Sequence, residues 1–326
     1  MRTPTHIRSL VASALTGALL LSACGGDADS DDGSASEPGS SDTAFPATVE
    51  GIYGDVTIEE RPERVVALNP HHAEMLDALG VQPVAVGADE QQIEATTPWL
   101  VDVFETVDGS LFENNETNLE QVASYDPDLI VGYGSYQLLE EIYGQAQDIA
   151  TTFPGLAEGA PNPPWQETLR ALAMLTGTDA EPVIDEVDAA CEEAREAIPQ
   201  WQGRTYQLVG TVAENIKWGN GTALECFGLV PAGNQNNDND GSGISYENLD
   251  ELDADVLVIW DAVDREEQIT ADPRYASLPS VANESVVWLP AASPIAYATN
   301  SVGGPRTFEF LIDELLPSLE STTPAS

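Results

Sequence analysis

One phrase occurs twice in this chain. Asn118-Leu119-Glu120 leads to Asp126-Pro127-Asp128-Leu129-Ile130-Val131, and Ser245-Tyr246-Glu247 leads to Asp253-Ala254-Asp255-Val256-Leu257-Val258, with the same interval from glutamate to first aspartate. Each copy reads as a small capped helix with Glu in its first turn, a tight Asp turn, and then a buried strand. Chance produces one copy easily. Two in register, on either side of one long helix, call for two similar α/β lobes. The helix runs over Thr178–Ile198, where Val183, Val187, Ala190, Ala194 and Ala197 recur at steps of three and four and so share a face. Thr178 or Asp179 caps its start, Glu181 and Pro182 fill its first turn, and Pro199 follows its end.

The chain therefore divides into an N-terminal lobe over 45–177, a connecting helix over 178–199 and a C-terminal lobe over 200–320, with a tail over 321–326. A length of 326 residues suits two such lobes better than one small core. Residues 1–23 read as a targeting segment. Arg2 and Arg8 precede an apolar run, Leu10–Leu21, that is too short to span a bilayer. The run ends in Leu21-Ser22-Ala23-Cys24-Gly25, which looks like a bacterial lipobox, with Cys24 as the lipid-bearing residue. Residues 24–44 are a Gly, Ser and Asp-rich segment that cannot bury a core and reads as a flexible tether. The expected location is thus the extracytoplasmic face of a cell membrane, held by lipid alone.

Net charge is −45, from 56 acidic and 11 basic residues. Nucleic acid is excluded as a partner, because phosphate binding needs clustered Lys and Arg. The acids keep an exported protein soluble or reflect a salty habitat.

In the first lobe a hairpin is expected within Thr48–Ile58, then a buried strand Arg64–Leu68, a helix Ala73–Leu79 closed by Gly80, a strand Val84–Gly87, the repeat strand from Leu129, a helix Glu140–Ala150 and a strand Ile149–Phe153. A helix Leu169–Thr176 follows the Pro-rich loop Pro161–Trp165. The second lobe is expected to hold strands Thr205–Gly210, Val256–Trp260 and Val286–Leu289, helices Thr222–Leu229 and Thr307–Leu316, and a polar loop Gly233–Gly243. Pro317–Ser326 is expected to fray. Strands alternating with helices mean parallel sheets, whose ligands sit at the carboxyl ends of the strands.

Arg64-Val-Val-Ala-Leu-Asn69, the helix Ala73-Glu-Met-Leu-Asp-Ala-Leu-Gly80 with Val81-Gln-Pro-Val-Ala-Val-Gly87 after it, and Asn118-Leu-Glu … Asp-Pro-Asp-Leu-Ile-Val131 carry a resemblance. The chain resembles the substrate-binding proteins of ABC importers, in the class for ferric siderophores, haem and cobalamin, over about residues 45–320. That resemblance implies the class III periplasmic-binding-protein fold, two Rossmann-like lobes joined by one long helix with little hinge motion. It implies a monomer that works with a permease and its ATPase. It also places one permease-docking glutamate on each lobe, at Glu120 and Glu247. Each glutamate also favours its own helix N-terminus through the dipole.

Cleft candidates are polar and aromatic residues on loops at strand ends. They are Asn69, His71, His72, Tyr133, Tyr136 and Trp165 in the first lobe, and Lys217, Trp218, Trp260, Arg265, Tyr297 and Arg306 in the second. Aromatics stack on a ligand and cations pair with its charge. Adjacent histidines on an extended segment point apart, so His71 and His72 are expected to serve as polar cleft residues rather than as a metal site; haem ligation is the alternative. Asn236 to Glu247 mimics a calcium loop but departs from it at its first position, and reads as a solvated turn. Cys191 and Cys226 remain beside the lipobox cysteine, and the sequence leaves open whether they pair.

No P-loop, G-x-S-x-G elbow or H-E-x-x-H motif is present. The expectation is a binding protein with no cofactor, which captures a ferric siderophore and passes it to a permease. A strongly anionic tris-catecholate needs several cations, which this chain is short of, so the lean is to a hydroxamate-type, neutral or cationic complex. Haem or cobalamin is the rival cargo. A sensor or enzyme on the same lobes is the rival class.

Overall fold

The computed structural model describes residues 44–321 except 102, 114–115, 133–139, 157–162, 239 and 302. The targeting segment with Cys24, most of the tether, Tyr133, Tyr136 and the tail beyond Ser321 fall outside the described residues.

The first lobe opens with a hairpin of β1 (Ala47–Gly51) and β2 (Gly54–Ile58). Then come β3 (Val65–Ala67), α1 (Pro70–Ala78), β4 (Ala85–Val86), α2 (Glu90–Thr96), a small hairpin of β5 (Phe112–Glu113) and β6 (Glu116–Thr117), and α3 (Leu119–Ser124). The lobe ends with β7 (Leu129–Val131), α4 (Glu140–Gln147), β8 (Thr151–Phe153) and α5 (Trp165–Thr176). Its sheet is parallel, in the order β4-β3-β7-β8. Leu129, Ile130 and Val131 are all buried, as a strand covered on both faces requires. Helix α1 begins where Asn69 accepts the His72 N–H at 2.9 Å and Pro70 sets the first turn; it ends at Gly80, whose φ of +75° suits a residue without Cβ.

The connecting helix α6 (Glu181–Ala197) starts later than the sequence suggested, at Glu181, whose N–H is taken by Asp179 at 3.1 Å. Beyond it lie β9 (Thr205–Thr211), β10 (Ile216–Trp218), β11 (Val230–Pro231), β12 (Gly243–Ile244), β13 (Val256–Asp261), α7 (Glu266–Thr270), α8 (Pro279–Ala282), β14 (Val286–Pro290), α9 (Pro294–Asn300) and α10 (Pro305–Ser321). The second sheet runs β12-β10-β9-β13-β14, with β13 and β14 parallel to β9 and β10 antiparallel to it.

The repeated aspartates do the same job in each lobe. Asp128, just before β7, accepts the N–H groups of Glu63 and Arg64 at 2.7 and 3.0 Å, which holds the entry to β3. Asp255, just before β13, accepts the N–H and hydroxyl of Thr205 at 2.8 and 2.9 Å, which holds the entry to β9. Burial works against the Asp255 charge, but those bonds and Arg204 outweigh it and keep the carboxyl below its ordinary range. These bonds register β3 against β7 in the first lobe and β9 against β13 in the second.

Three expectations are corrected. The second copy of the repeat has no α-helix: Ser245 takes the Glu247 N–H, and Leu249–Glu251 is a 3-10 turn. Leu249 and Leu252 are the buried pair there, and a spacing of three is the 3-10 period. Thr222–Phe227 is likewise 3-10 rather than α, ending at Gly228. The last helix does not stop at Pro317. Leu315, Leu316 and Leu319 pack on the core, and Trp201 Nε1 and Gln200 Nε2 both donate to the Leu319 carbonyl, so the final turn is held in spite of the proline.

Cys191 on α6 and Cys226 form a disulfide, with Cα atoms 4.8 Å apart, that ties the connecting helix to the second lobe. The lobes share more than that helix. One core runs from Val65 and Leu129 through Leu172, Ile184 and Cys191 to Tyr206 and Phe308.

Candidate functional site

The chain leaves β3, β4, β7 and β8 on one edge of the first sheet, and β9, β13 and β14 on one edge of the second. Helix α2 follows β4, α9 follows β14, and the two helices pack together. Trp99, after α2, stacks on Phe310 of α10 with ring centres 4.4 Å apart. These contacts bring the two carboxyl edges to a common side, where α/β sheets place their ligands.

On the first edge, Asn69 and His72 lock together. The Asn69 oxygen that caps α1 also lies 2.9 Å from His72 Nδ1. Burial, and then the neighbouring His71, push the His72 imidazole down to about 4. It is neutral at physiological pH, with its Nδ1 proton directed to Asn69. Gly132, at the end of β7 with φ of +81°, lies beneath the pair. A Cβ there would come within 2.7 Å of Asn69 Nδ2 and 3.0 Å of His72 Nδ1.

His71 faces elsewhere. Its Nδ1 lies 3.6 Å from the carboxylate of Glu74, which is fully buried. Glu74 accepts the N–H and hydroxyl of Thr307 at 3.2 and 2.8 Å, so a first-lobe carboxylate caps the start of α10. Gly304 makes room for it, since a Cβ there would fall 2.2 Å from Glu74 Oε1. Beside this contact Arg306 pairs with Asp77 at 2.6 Å. Arg306, expected in the cleft, is therefore part of a clasp between the lobes.

On the second edge, Trp260 donates its Nε1 proton to the Ala291 carbonyl at 3.1 Å and meets Tyr297 edge-on, with ring centres 5.2 Å apart. Arg265 donates to the Ala213 carbonyl and to Gln268, each at 3.0 Å, and lies over the ring of Tyr246. Asp261 grips the Arg265 N–H and takes the Thr211 hydroxyl; its charge is opposed by burial but favoured by these bonds, which win. Lys217 donates to the Gly241 carbonyl. Trp218 is corrected from cleft to core: it is 8% exposed and packs with Val209, Ile216 and Ile259. It is the last residue of an antiparallel strand, so its place at the end of β10 does not bring it to the carboxyl edge.

A cavity of about 290 Å³ opens between the lobes where α5 begins, beside α6 and the disulfide. Trp165 lines it from the first lobe, Phe308 from α10, Asp188 and Arg195 from α6, and Glu225 from the second lobe. Sequence reasoning named only Trp165. Asp188 reads as part of a solvated helix face and Phe308 as an ordinary core residue; only the meeting of α5, α6, α10 and the 3-10 segment Thr222–Phe227 unites them.

Glu120 and Glu247 are both exposed. Each sits at the rim of its own sheet's carboxyl edge. Gln121 donates to Asp108, whose N–H bonds the Val86 carbonyl at the end of β4; Tyr246 donates to the Val212 carbonyl just past β9. In the Asn236–Glu247 loop, Asn236 and Asp240 accept the N–H groups of Asp238 and Ser242. Among the described residues no group of three or more His, Cys, Asp or Glu side chains is placed to hold a metal ion.

The model of the periplasmic binding protein family matches residues 65–292, and the chain belongs to that family. It is 28% identical over 165 residues to the Fe(3+) dicitrate-binding periplasmic protein FecB of Escherichia coli (strain K12), covering 48% of this chain and 50% of that one. It is 33% identical over 125 residues to the uncharacterized ABC transporter substrate-binding lipoprotein YvrC of Bacillus subtilis (strain 168), covering 38% of this chain and 36% of that one. The alignments thus span half or less of these curated relatives. Among solved structures, that of Streptococcus pneumoniae TIGR4 PiaA in complex with ferrichrome is similar, with a TM-score of 0.68, 18% identity, and coverage of 84% of this chain and 97% of that one. The fold is that of the class III periplasmic binding proteins.

Proposed function

We propose that this chain is the extracytoplasmic binding component of an ABC importer. It captures a ferric siderophore between its lobes and delivers it to a permease, with no covalent chemistry of its own. The observation that carries the reading is the duplicated site: two repeated lobes bring their carboxyl edges to one side, each with an exposed glutamate on its rim. The names of its relatives support an iron cargo, since one is called Fe(3+) dicitrate-binding and another was solved with ferrichrome. The lipid anchor at Cys24 fits a relative named as a lipoprotein.

A hydroxamate-type cargo is favoured by the cations. Lys217 bonds Gly241, Arg306 bonds Asp77, and Arg265 bonds Ala213 and Gln268. A tris-catecholate of high negative charge finds few cations left to meet it, in a chain whose net charge is −45.

The test is a fluorescence titration of the purified protein, whose six tryptophans include Trp165 at the cavity beside the connecting helix and Trp260 at the second edge. Ferric hydroxamates, ferric catecholates, haemin and cobalamin are added in turn. Saturable quenching by a ferric hydroxamate is expected. Saturation by haemin or cobalamin alone moves the cargo within the family, and silence from all four removes the reading.

A further inference from the structure

The cavity at the connecting helix has walls of two kinds. Trp165 and Phe308, with ring centres 5.6 Å apart, form an aromatic side. Asp188 and Glu225 bring exposed carboxylates from α6 and from the second lobe; one Glu225 oxygen already takes the Tyr206 hydroxyl at 3.2 Å, and partial burial holds its carboxyl above the ordinary range. Arg195, also on the wall, already has partners: it donates to Glu192 at 3.3 Å and to the Glu225 carbonyl at 3.0 Å. Acid is thus in excess over uncommitted base. An ammonium group suits such walls. It pairs with carboxylates through charge-assisted bonds and lies against ring faces, in a concavity that strengthens both. The chain's net charge of −45 raises the local concentration of cations further. An anion meets repulsion from the same groups.

Size decides what part of a cargo can enter. Pockets that enclose a whole drug-sized ligand run from about 300 to 1,000 Å³. A cavity of about 290 Å³ is at the bottom of that range, enough for a side arm and too small for a hexadentate ferric chelate. Its lining comes from the first lobe, the connecting helix and the second lobe, so an occupant touches both lobes.

We propose that this cavity is the subsite for a protonated amine arm of the cargo, lying against the aromatic wall of Trp165 and Phe308 and paired with Asp188 and Glu225. The inference rests on the reading that the cleft takes a ferric siderophore, and narrows it to chelates with a free primary amine.

The experiment compares two linear ferric trihydroxamates that differ only at one end, a free primary amine in one and its N-acetyl form in the other. Both are titrated into the purified protein by tryptophan fluorescence. The amine form is expected to bind at least tenfold more tightly, with a preference that shrinks as salt rises. The double variant Asp188→Asn, Glu225→Gln is expected to bring the amine form down to the affinity of the acetylated one and leave the latter unchanged. Equal binding of the two chelates by the unaltered protein overturns the subsite and leaves the siderophore reading standing. Binding of neither overturns the subsite together with the hydroxamate reading on which it rests. Because the comparison of chelates needs no variant, a misfolded substitution does not weaken it.

Discussion

Two acid–partner contacts join α1 to the start of α10, and burial should make them very unequal. Glu74 and Thr307 are both fully buried, and the carboxylate takes two donors from Thr307. A hydrogen bond to a charged group is worth about 1.5–3 kcal/mol, and a buried donor left alone costs about 1–3 kcal/mol. Glu74→Ala strips both donors of their acceptor, while removing the cost of a buried charge. A net loss of about 3 kcal/mol is expected. Glu74→Gln keeps the shape and one acceptor oxygen, and should lose about half as much. Arg306 is 41% exposed where it meets Asp77, so Asp77→Asn should cost under about 1 kcal/mol despite the 2.6 Å contact. Urea unfolding of the whole chain, followed by tryptophan fluorescence, measures all three. Equal losses for Glu74→Ala and Asp77→Asn would refute the argument that burial, not contact distance, sets the strength of the clasp.

Other outcomes follow from the same geometry. Glu120→Ala with Glu247→Ala should lower uptake in cells several-fold while leaving cargo affinity in solution unchanged, since both side chains are exposed on the rim. Replacing Cys191 and Cys226 together by Ser should destabilise the protein by about 4 kcal/mol at most, the chain-entropy value for a loop with a sequence separation of 35, as read by urea unfolding. His72, pushed down to about 4 in the fold, binds a proton in the unfolded chain first; its contribution to stability is therefore full above about pH 6.5 and is lost as pH falls toward 4. An NMR titration in which the His72 imidazole protonates near 6.5 in the folded protein would contradict this.

Much of the fold was legible because its signals are local. The strands at Val65, Leu129, Thr205 and Val256 announce themselves as apolar runs after turns, and the repeat foretold the lobes. The site was less legible, since its groups meet only in space. Arg306 looked like a free cation until α10 laid it on Asp77. Trp218 looked exposed at a strand end until β10 proved antiparallel. Glu74 sits in an ordinary helical phrase, and nothing around it announces Thr307. The same holds for Asp188 and Phe308 at the cavity. Pro317 misled in the other direction: local chemistry said stop, and packing of Leu315 and Leu319 carried the helix on.

The central claim is that iron is carried between the lobes. The most direct measurement is anomalous diffraction at the iron edge from crystals grown with a ferric hydroxamate. One iron peak is expected between the carboxyl edge of β3 and β7 and that of β13 and β14, flanked by the Asn69–His72 and Trp260–Tyr297 pairs. No peak, or a peak only on an outer surface of either lobe, would contradict the account.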